Sequence, residues 1–280
     1  MPGLRPHRLV AITLSAVLLL TASVSVVAVE DQPAAALGPP SLESAVAALA
    51  STAVTLAGGS ASSAEPATSI EPAKIRLPAC EIQDIRTRYG QVRHWKRTLL
   101  DTNLRLRQSY QPRDLVSVSS AGIAGSGKVR KVMIADLQAL AAAARRAGKP
   151  LAVRSAYRSY DYQKSLFDHY VRTQGYTAAI RFSARAGHSE HQLGTTVDFT
   201  TAPNVPLRTT FGESPSGKWL ARNGWKYGFI MSYPKGKRSV SCYGYEPWHW
   251  RYFGRDTARK IHESGQVPRR HLYETSEAAP

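Results

Sequence analysis

The chain has 280 residues, room for one large domain or two small ones, and carries 37 Lys and Arg against 20 Asp and Glu, a formal charge of +17. Such an excess attracts polyanions, but no nucleic-acid recognition motif accompanies it, and nucleic acid is not expected as a partner. Its two cysteines do not form a Cys-x-x-Cys pair, which argues against a thiolate metal site.

At the amino terminus Arg5, His7 and Arg8 precede an apolar run over residues 9–20 and small residues through Ala28, the layout of a secretory signal. Residues 1–30 are expected to be a signal peptide or, since residues 9–29 are long enough to span a bilayer, an uncleaved membrane anchor. Membrane contact is expected only through this segment. Residues 31–74 are mostly Ala, Ser, Pro, Thr and Gly. They cannot offset their ordering entropy by burial and read as a disordered linker. A folded domain is expected over 75–272, and a frayed tail over 273–280.

Within the domain, residues 82–107 are basic and punctuated by Trp95 and Leu99-Leu100, with Arg93, Lys96 and Arg97 read as a solvated face. Residues 111–116 read as a turn entering a short strand. The glycine-rich stretch 122–127 lacks the Lys-Ser/Thr ending of a phosphate-binding loop and reads as a flexible surface loop. Met133, Leu137, Leu140 and Ala141 recur at helical spacing, predicting a core helix over 132–147 that Gly148 and Pro150 end.

A strand over 151–155 then delivers Tyr157 and Arg158 to its exit. Asp161 is expected to cap a helix over 162–174, with Gly175 as its stop. Residues 195–200, rich in β-branched and aromatic side chains, predict a strand. A turn-rich loop over 204–217, a short helix over 218–223, a strand over 227–231 and a final helix over 255–264 complete the order. In an exported chain Cys80 and Cys242 are expected to form a disulfide, two buried free thiols being the other reading. On the chain-entropy model, closing a loop of this size stabilises by up to about 4 to 5 kcal/mol. The fold class expected is α+β: a small mixed or antiparallel sheet with packed helices and a zinc site at the sheet edge.

That site is read from Gly187-His188-Ser189-Glu190-His191-Gln192-Leu193-Gly194-Thr195-Thr196-Val197-Asp198 and Glu246-Pro247-Trp248-His249. A catalytic zinc is commonly held by three protein ligands from His and Asp/Glu, with the fourth position open. His191, Asp198 and His249 fit that count. The odd interval from His191 to Asp198 would put them on opposite faces of a regular strand, so the chain must bend between them, and Gly194 permits the bend. Glu246, three residues before His249, is expected beside the ion as a proton-handling carboxylate rather than a ligand, with Pro247 making the turn that joins them. His188 is read as a polar neighbour. Trp248 and Trp250 are expected to wall the site, and Trp219, Trp225 and Phe229 to belong to the core.

Taken together, Tyr157-Arg158-Ser159 with Gln163, Ser189-x-His191-x-x-Gly194-x-x-x-Asp198, and Glu246-Pro247-Trp248-His249 resemble the VanY-type D-alanyl-D-alanine carboxypeptidases, zinc peptidases of bacterial cell-wall metabolism, over roughly residues 97–256. The resemblance implies Zn²⁺ on His191, Asp198 and His249, and Glu246 as catalytic base. It implies Arg158 at the substrate carbonyl and carboxylate, and Gln163 and Ser189 as polar pocket residues. It implies peptidoglycan stem peptides as substrate, losing their terminal D-alanine. The export signal makes the expected location extracytoplasmic, where the anionic polymers of a bacterial envelope are the candidate partner for the basic charge. Thr196 departs from the family, which usually has Ala there. A cell-wall endopeptidase, an L,D-carboxypeptidase and a non-catalytic wall-binding module are the other readings.

Overall fold

The computed structural model describes residues 75–277, so the expected signal or anchor and the linker lie outside the described residues. Two short strands, β1 (Ile85–Arg86) and β2 (Leu104–Arg105), pair in parallel, followed by β3 (Leu115–Ser117), β4 (Ala124–Gly125) and β5 (Lys128–Arg130). Strands β3 and β5 form an antiparallel ribbon. The helix expected over 132–147 is α1 (Ile134–Arg146), preceded by a 3-10 turn holding Met133, and its buried Leu137, Leu140, Ala141 and Ala144 follow the helical period.

The glycine-rich segment is not the loop expected of it. Its Ala124 and Gly125 form the edge strand β4, parallel to β6 (Ala152–Ser155). Gly125, at φ 130°, lies so close to β6 that a Cβ there would run into the Val153 carbonyl, and glycine is what allows the approach. Next come α2 (Tyr160–Gln174) and α3 (Tyr176–Phe182). The cap of α2 is Ser159, whose Oγ accepts from the Tyr162 N–H at 3.1 Å, rather than Asp161.

Strand β7 (Thr196–Thr200) is buried along its whole length. After it follow α4 (Pro215–Asn223), β8 (Phe229–Met231), α5 (Arg238–Ser241), β9 (His249–Tyr252), α6 (Arg255–Ser264) and α7 (Pro268–Leu272). The main sheet has five strands in the order β4-β6-β7-β9-β8, parallel at β4/β6 and antiparallel elsewhere. Val197 and Phe199 point from β7 into the main core with Leu137 and Leu140 of α1. By strand alternation Thr196, Asp198 and Thr200 take the other face. There Asp198 stands opposite Ser155 on β6 and opposite His249 on β9, and a register shift in β6 falls between Val153 and Ser155.

Helices α6 and α7 form a second cluster in which Leu99 meets Phe253, Ile261 and Leu272. Cys80 and Cys242 are disulfide-bonded, Cα to Cα 5.2 Å, across a sequence separation of 162 residues. The tail expected to fray from 273 instead continues as a π-helical turn, Tyr273–Glu277, with Ser276 buried and the Thr87 hydroxyl donating to Glu277 at 3.3 Å. Among the described residues no helix is long and apolar enough to cross a membrane.

Candidate metal centre and cleft

His191 sits in a one-turn 3-10 helix, Glu190–Leu193, capped by Ser189, whose Oγ accepts from the His191 N–H at 3.4 Å. Gly194, at φ 72°, ends the turn and redirects the chain into β7; a Cβ there would press on Arg130. The His191 Nδ1–H donates to the Ala156 carbonyl at 2.6 Å, which leaves Nε2 3.3 Å from Asp198 Oδ2. Cross-strand pairing brings His249 Nδ1 within 3.3 Å of Asp198 Oδ1. The three side chains are buried, and one donor atom from each lies within 4.8 Å of the others.

This donor set fits a divalent metal ion. His191 Nε2 and Asp198 Oδ1 are buried without a hydrogen-bond partner, an expensive arrangement unless a cation occupies the point where they converge. Asp198 lies on β7, His249 begins β9 and His191 stands on the turn that enters β7, so the expected position at the sheet edge resolves into two inner strands at the end of the sheet where β9 begins.

The electrostatics agree. Burial, with the Arg158 charge, pushes the His191 imidazole down to about 4, so it is neutral with a free lone pair. Burial works against ionised Asp198, but the two imidazoles outweigh it and hold the carboxyl well below the usual range. Burial also opposes protonation of His249, yet the carboxylates of Asp198 and Glu190 beside it raise it to about 10, so an incoming cation must displace a proton there.

Glu246 lies just outside the three-donor group. Pro247 makes the expected turn, in which the His249 N–H donates to the Glu246 carbonyl at 3.1 Å, and Glu246 Oε2 stands 3.7 Å from His249 Nδ1. Burial pushes its carboxyl up to about 7, with His249 opposing and Asp198 adding to the rise.

These groups open onto a cleft of about 390 Å³ whose lining includes Arg158, Gln163, Ser189, Tyr233, Glu246 and Trp248. Arg158 leaves β6 with its N–H donating to the His191 carbonyl at 3.3 Å, while its buried Nε has no partner. Gln163, on the first turn of α2, is buried and donates to the Ala184 carbonyl at 2.7 Å, leaving Oε1 unpartnered. All the site residues expected from the sequence therefore meet here. The expected second wall does not: Trp250 is in the core, where its indole N–H donates to the Pro247 carbonyl. Trp225, expected in the core, lies outside it and stacks on His262 at 4.4 Å. His188 is no ligand, for its ring bonds to the Asp101 carbonyl and to Asp84.

The sequence reading missed what stands behind His249. The fully buried Glu190 has its Oε2 2.9 Å from His249 Nε2 and 2.6 Å from the Ser232 hydroxyl, and its Oε1 accepts from Arg251 at 2.9 Å. Arg251, also fully buried, donates onward to the Trp95 and Thr98 carbonyls. Burial would raise the Glu190 carboxyl, but the Arg251 charge and the His249 bond hold it at about 2. The signal available was a carboxylate adjoining one ligand and an arginine two residues past another, on the same strand face.

The family model described as VanY, D-alanyl-D-alanine carboxypeptidase, matches residues 126–255. YodJ of Bacillus subtilis (strain 168), a carboxypeptidase by inference, is 39% identical over 172 residues, 59% of this chain; the chain spans only 63% of that relative's length. The solved structure of the L,D-carboxypeptidase LdcB matches at 35% identity with a TM-score of 0.58, over 64% of this chain and 85% of that one. The D,D-pentapeptidase VanY from a VanB-type resistance cassette, solved with Zn(II), matches at 29% identity with a TM-score of 0.54, over 64% of this chain and 99% of that one. With the motifs converging in space and these similarities agreeing, the chain belongs to the VanY-type carboxypeptidase family.

Proposed function

We propose that the protein is a zinc D,D-carboxypeptidase that removes the terminal D-alanine of peptidoglycan stem peptides, working outside the cytoplasm as a secreted or membrane-tethered enzyme. The observation that carries this reading is the position of Glu246. It stands beside the three-donor group without joining it, and its carboxyl is raised to about 7, where it can both accept and return a proton near neutral pH. A two-His, one-carboxylate donor set with an open position suits a catalytic zinc, which when bound would supply Lewis acidity at the scissile carbonyl.

The protein's own groups do the rest. Arg158 offers a planar guanidinium to the terminal carboxylate, and its unpartnered Nε leaves a donor to spare. Glu246 takes a proton from the attacking water and hands it to the departing amine. Trp248 and Tyr233 wall the cleft and limit water around the developing charge. A structural metal in a wall-binding module would normally be closed by four protein ligands, a pattern that three donors and a neighbouring free carboxylate do not match.

The similarity to LdcB favours a second reading, L,D-specificity, in the same site. The test is release of D-alanine from stem pentapeptide and tetrapeptide by the zinc-loaded protein, with Glu246→Ala as control. Release from pentapeptide alone supports the D,D reading, and release from tetrapeptide alone supports the L,D reading. Undiminished release by the variant overturns the assignment of Glu246.

A further inference from the structure

The two histidines of the metal group present different ring nitrogens. His191 turns Nε2 inward, because its Nδ1–H is given to the Ala156 carbonyl. His249 is reversed: Nδ1 faces Asp198 Oδ1 and Glu246 Oε2, at 3.3 and 3.7 Å, while Nε2 points away to Glu190. A neutral imidazole has one lone pair, and the hydrogen bond at the far nitrogen decides where it lies. With Nε2–H donated to Glu190, the lone pair is at Nδ1, facing the metal group. The other tautomer would aim an N–H there and remove a donor.

Glu190 has little freedom to turn aside. Its Oε2 also accepts from Ser232, its Oε1 accepts from Arg251, and the Arg251 guanidinium is fixed by the Trp95 and Thr98 carbonyls. A buried ion pair is seldom more stabilising than apolar side chains of similar volume, so stability alone gives no reason for a charged pair at this spot. Its contact with His249 does give one.

We propose that Glu190, backed by Arg251, is a positioning residue that fixes the tautomer and ring orientation of His249 and thereby sets the affinity of the site for its metal. This rests on the reading that His191, Asp198 and His249 hold a metal ion. Outer hydrogen bonds of this kind are typically worth 10-fold to 100-fold in metal affinity.

The experiment uses the metal-free protein, Glu190→Gln, Glu190→Ala and the double variant Glu190→Ala/Arg251→Met. Zinc affinity is measured by competition with a chromogenic chelator, the Co²⁺-loaded spectrum reports ligand geometry, and metal-free thermal unfolding reports the fold. The double variant removes both buried charges together, so Arg251 is not left unpaired. Its zinc affinity is expected to fall about 10-fold to 100-fold with an altered Co²⁺ spectrum, while its metal-free melting temperature stays near that of the parent. Glu190→Gln, which keeps an acceptor oxygen for His249, is expected to lose less than Glu190→Ala.

A folded double variant that binds zinc within twofold of the parent, with the parent's Co²⁺ spectrum, overturns the proposal. Should the double variant not fold, parental affinity and spectrum in folded Glu190→Gln and Glu190→Ala overturn it equally. Failure of the parent itself to bind zinc overturns the metal reading beneath it, a separate result.

Discussion

Among the described residues two carboxylate–arginine pairs are buried, and they serve opposite ends. Glu190–Arg251 stands behind His249 and faces the cleft through it. Asp101–Arg269, at 2.6 Å, has no contact with the metal group and borders a separate, smaller cleft of about 190 Å³: Asp101 also accepts the Asn103 and Leu104 N–H groups, and Arg269 donates to the Pro78 and Val240 carbonyls, near Cys80 and Cys242. The chemistry of the two pairs is the same. What differs is the third partner, the His249 imidazole in one case and backbone groups near the disulfide in the other. A buried ion pair therefore carries no functional meaning until its remaining hydrogen bonds are followed.

The contrast can be broken at several points. The largest effect belongs to the cleft side: Glu246→Gln is expected to lower kcat/KM about 10³-fold with zinc still bound, as measured by D-alanine release alongside metal analysis. For the parent enzyme, kcat/KM should fall on the acid side of an apparent pKa no higher than about 7, because burial raises Glu246 to about 7 in the metal-free site and a divalent cation lowers it from there. A pH–rate profile checks this.

At the Asp101–Arg269 pair, Arg269→Leu leaves Asp101 buried and unpaired and should cost about 3 to 5 kcal/mol by denaturant unfolding. The zinc affinity of the folded fraction should not change. A parallel loss of affinity would erase the distinction between the two pairs.

A smaller effect has the opposite sign. The folded pKa of Glu246, about 7, lies above its ordinary value of 4.5, so the folded metal-free state binds that proton more tightly than the unfolded chain does. Its contribution to stability is complete below 4.5 and is lost as pH rises through 7. Metal-free Glu246→Gln should therefore be more stable than the parent at pH 8, by up to about 3 kcal/mol, with the gain gone at pH 4. Melting curves at the two pH values test it. The smallest effect is at Thr196, whose buried hydroxyl has no partner. Thr196→Ala should change stability by less than about 1 kcal/mol and leave kcat/KM intact.

How much of this was legible in the sequence follows the same division. His191, Asp198, His249 and Glu246 were legible because few side chains bind metals or move protons, and Gly194 and Pro247 marked the bends that gather them. Helix α1 was legible from its repeat of Leu137, Leu140 and Ala141, and α6 from its own pattern. Glu190 and Arg251 were not, since in a chain of net charge +17 nothing local separates a buried arginine from a solvated one. Strand β4 was hidden because Gly125 is there for close approach, which sequence alone cannot tell from flexibility. Ser159 and Asp161 are both good caps, and only the backbone showed which one the helix uses.

The alignment of β7 with β9 has a consequence for folding. A one-residue slip would turn one strand's side chains to the opposite face. A two-residue slide is the subtler error, since it would set Asp198 against Arg251 and so satisfy charge while scattering the imidazoles. Only the native alignment can hold an ion, and whatever binds the native state alone draws the population toward it by mass action. A cation held by His191, Asp198 and His249 would thereby also act as a referee of strand alignment, rejecting a mispairing that electrostatics alone would accept.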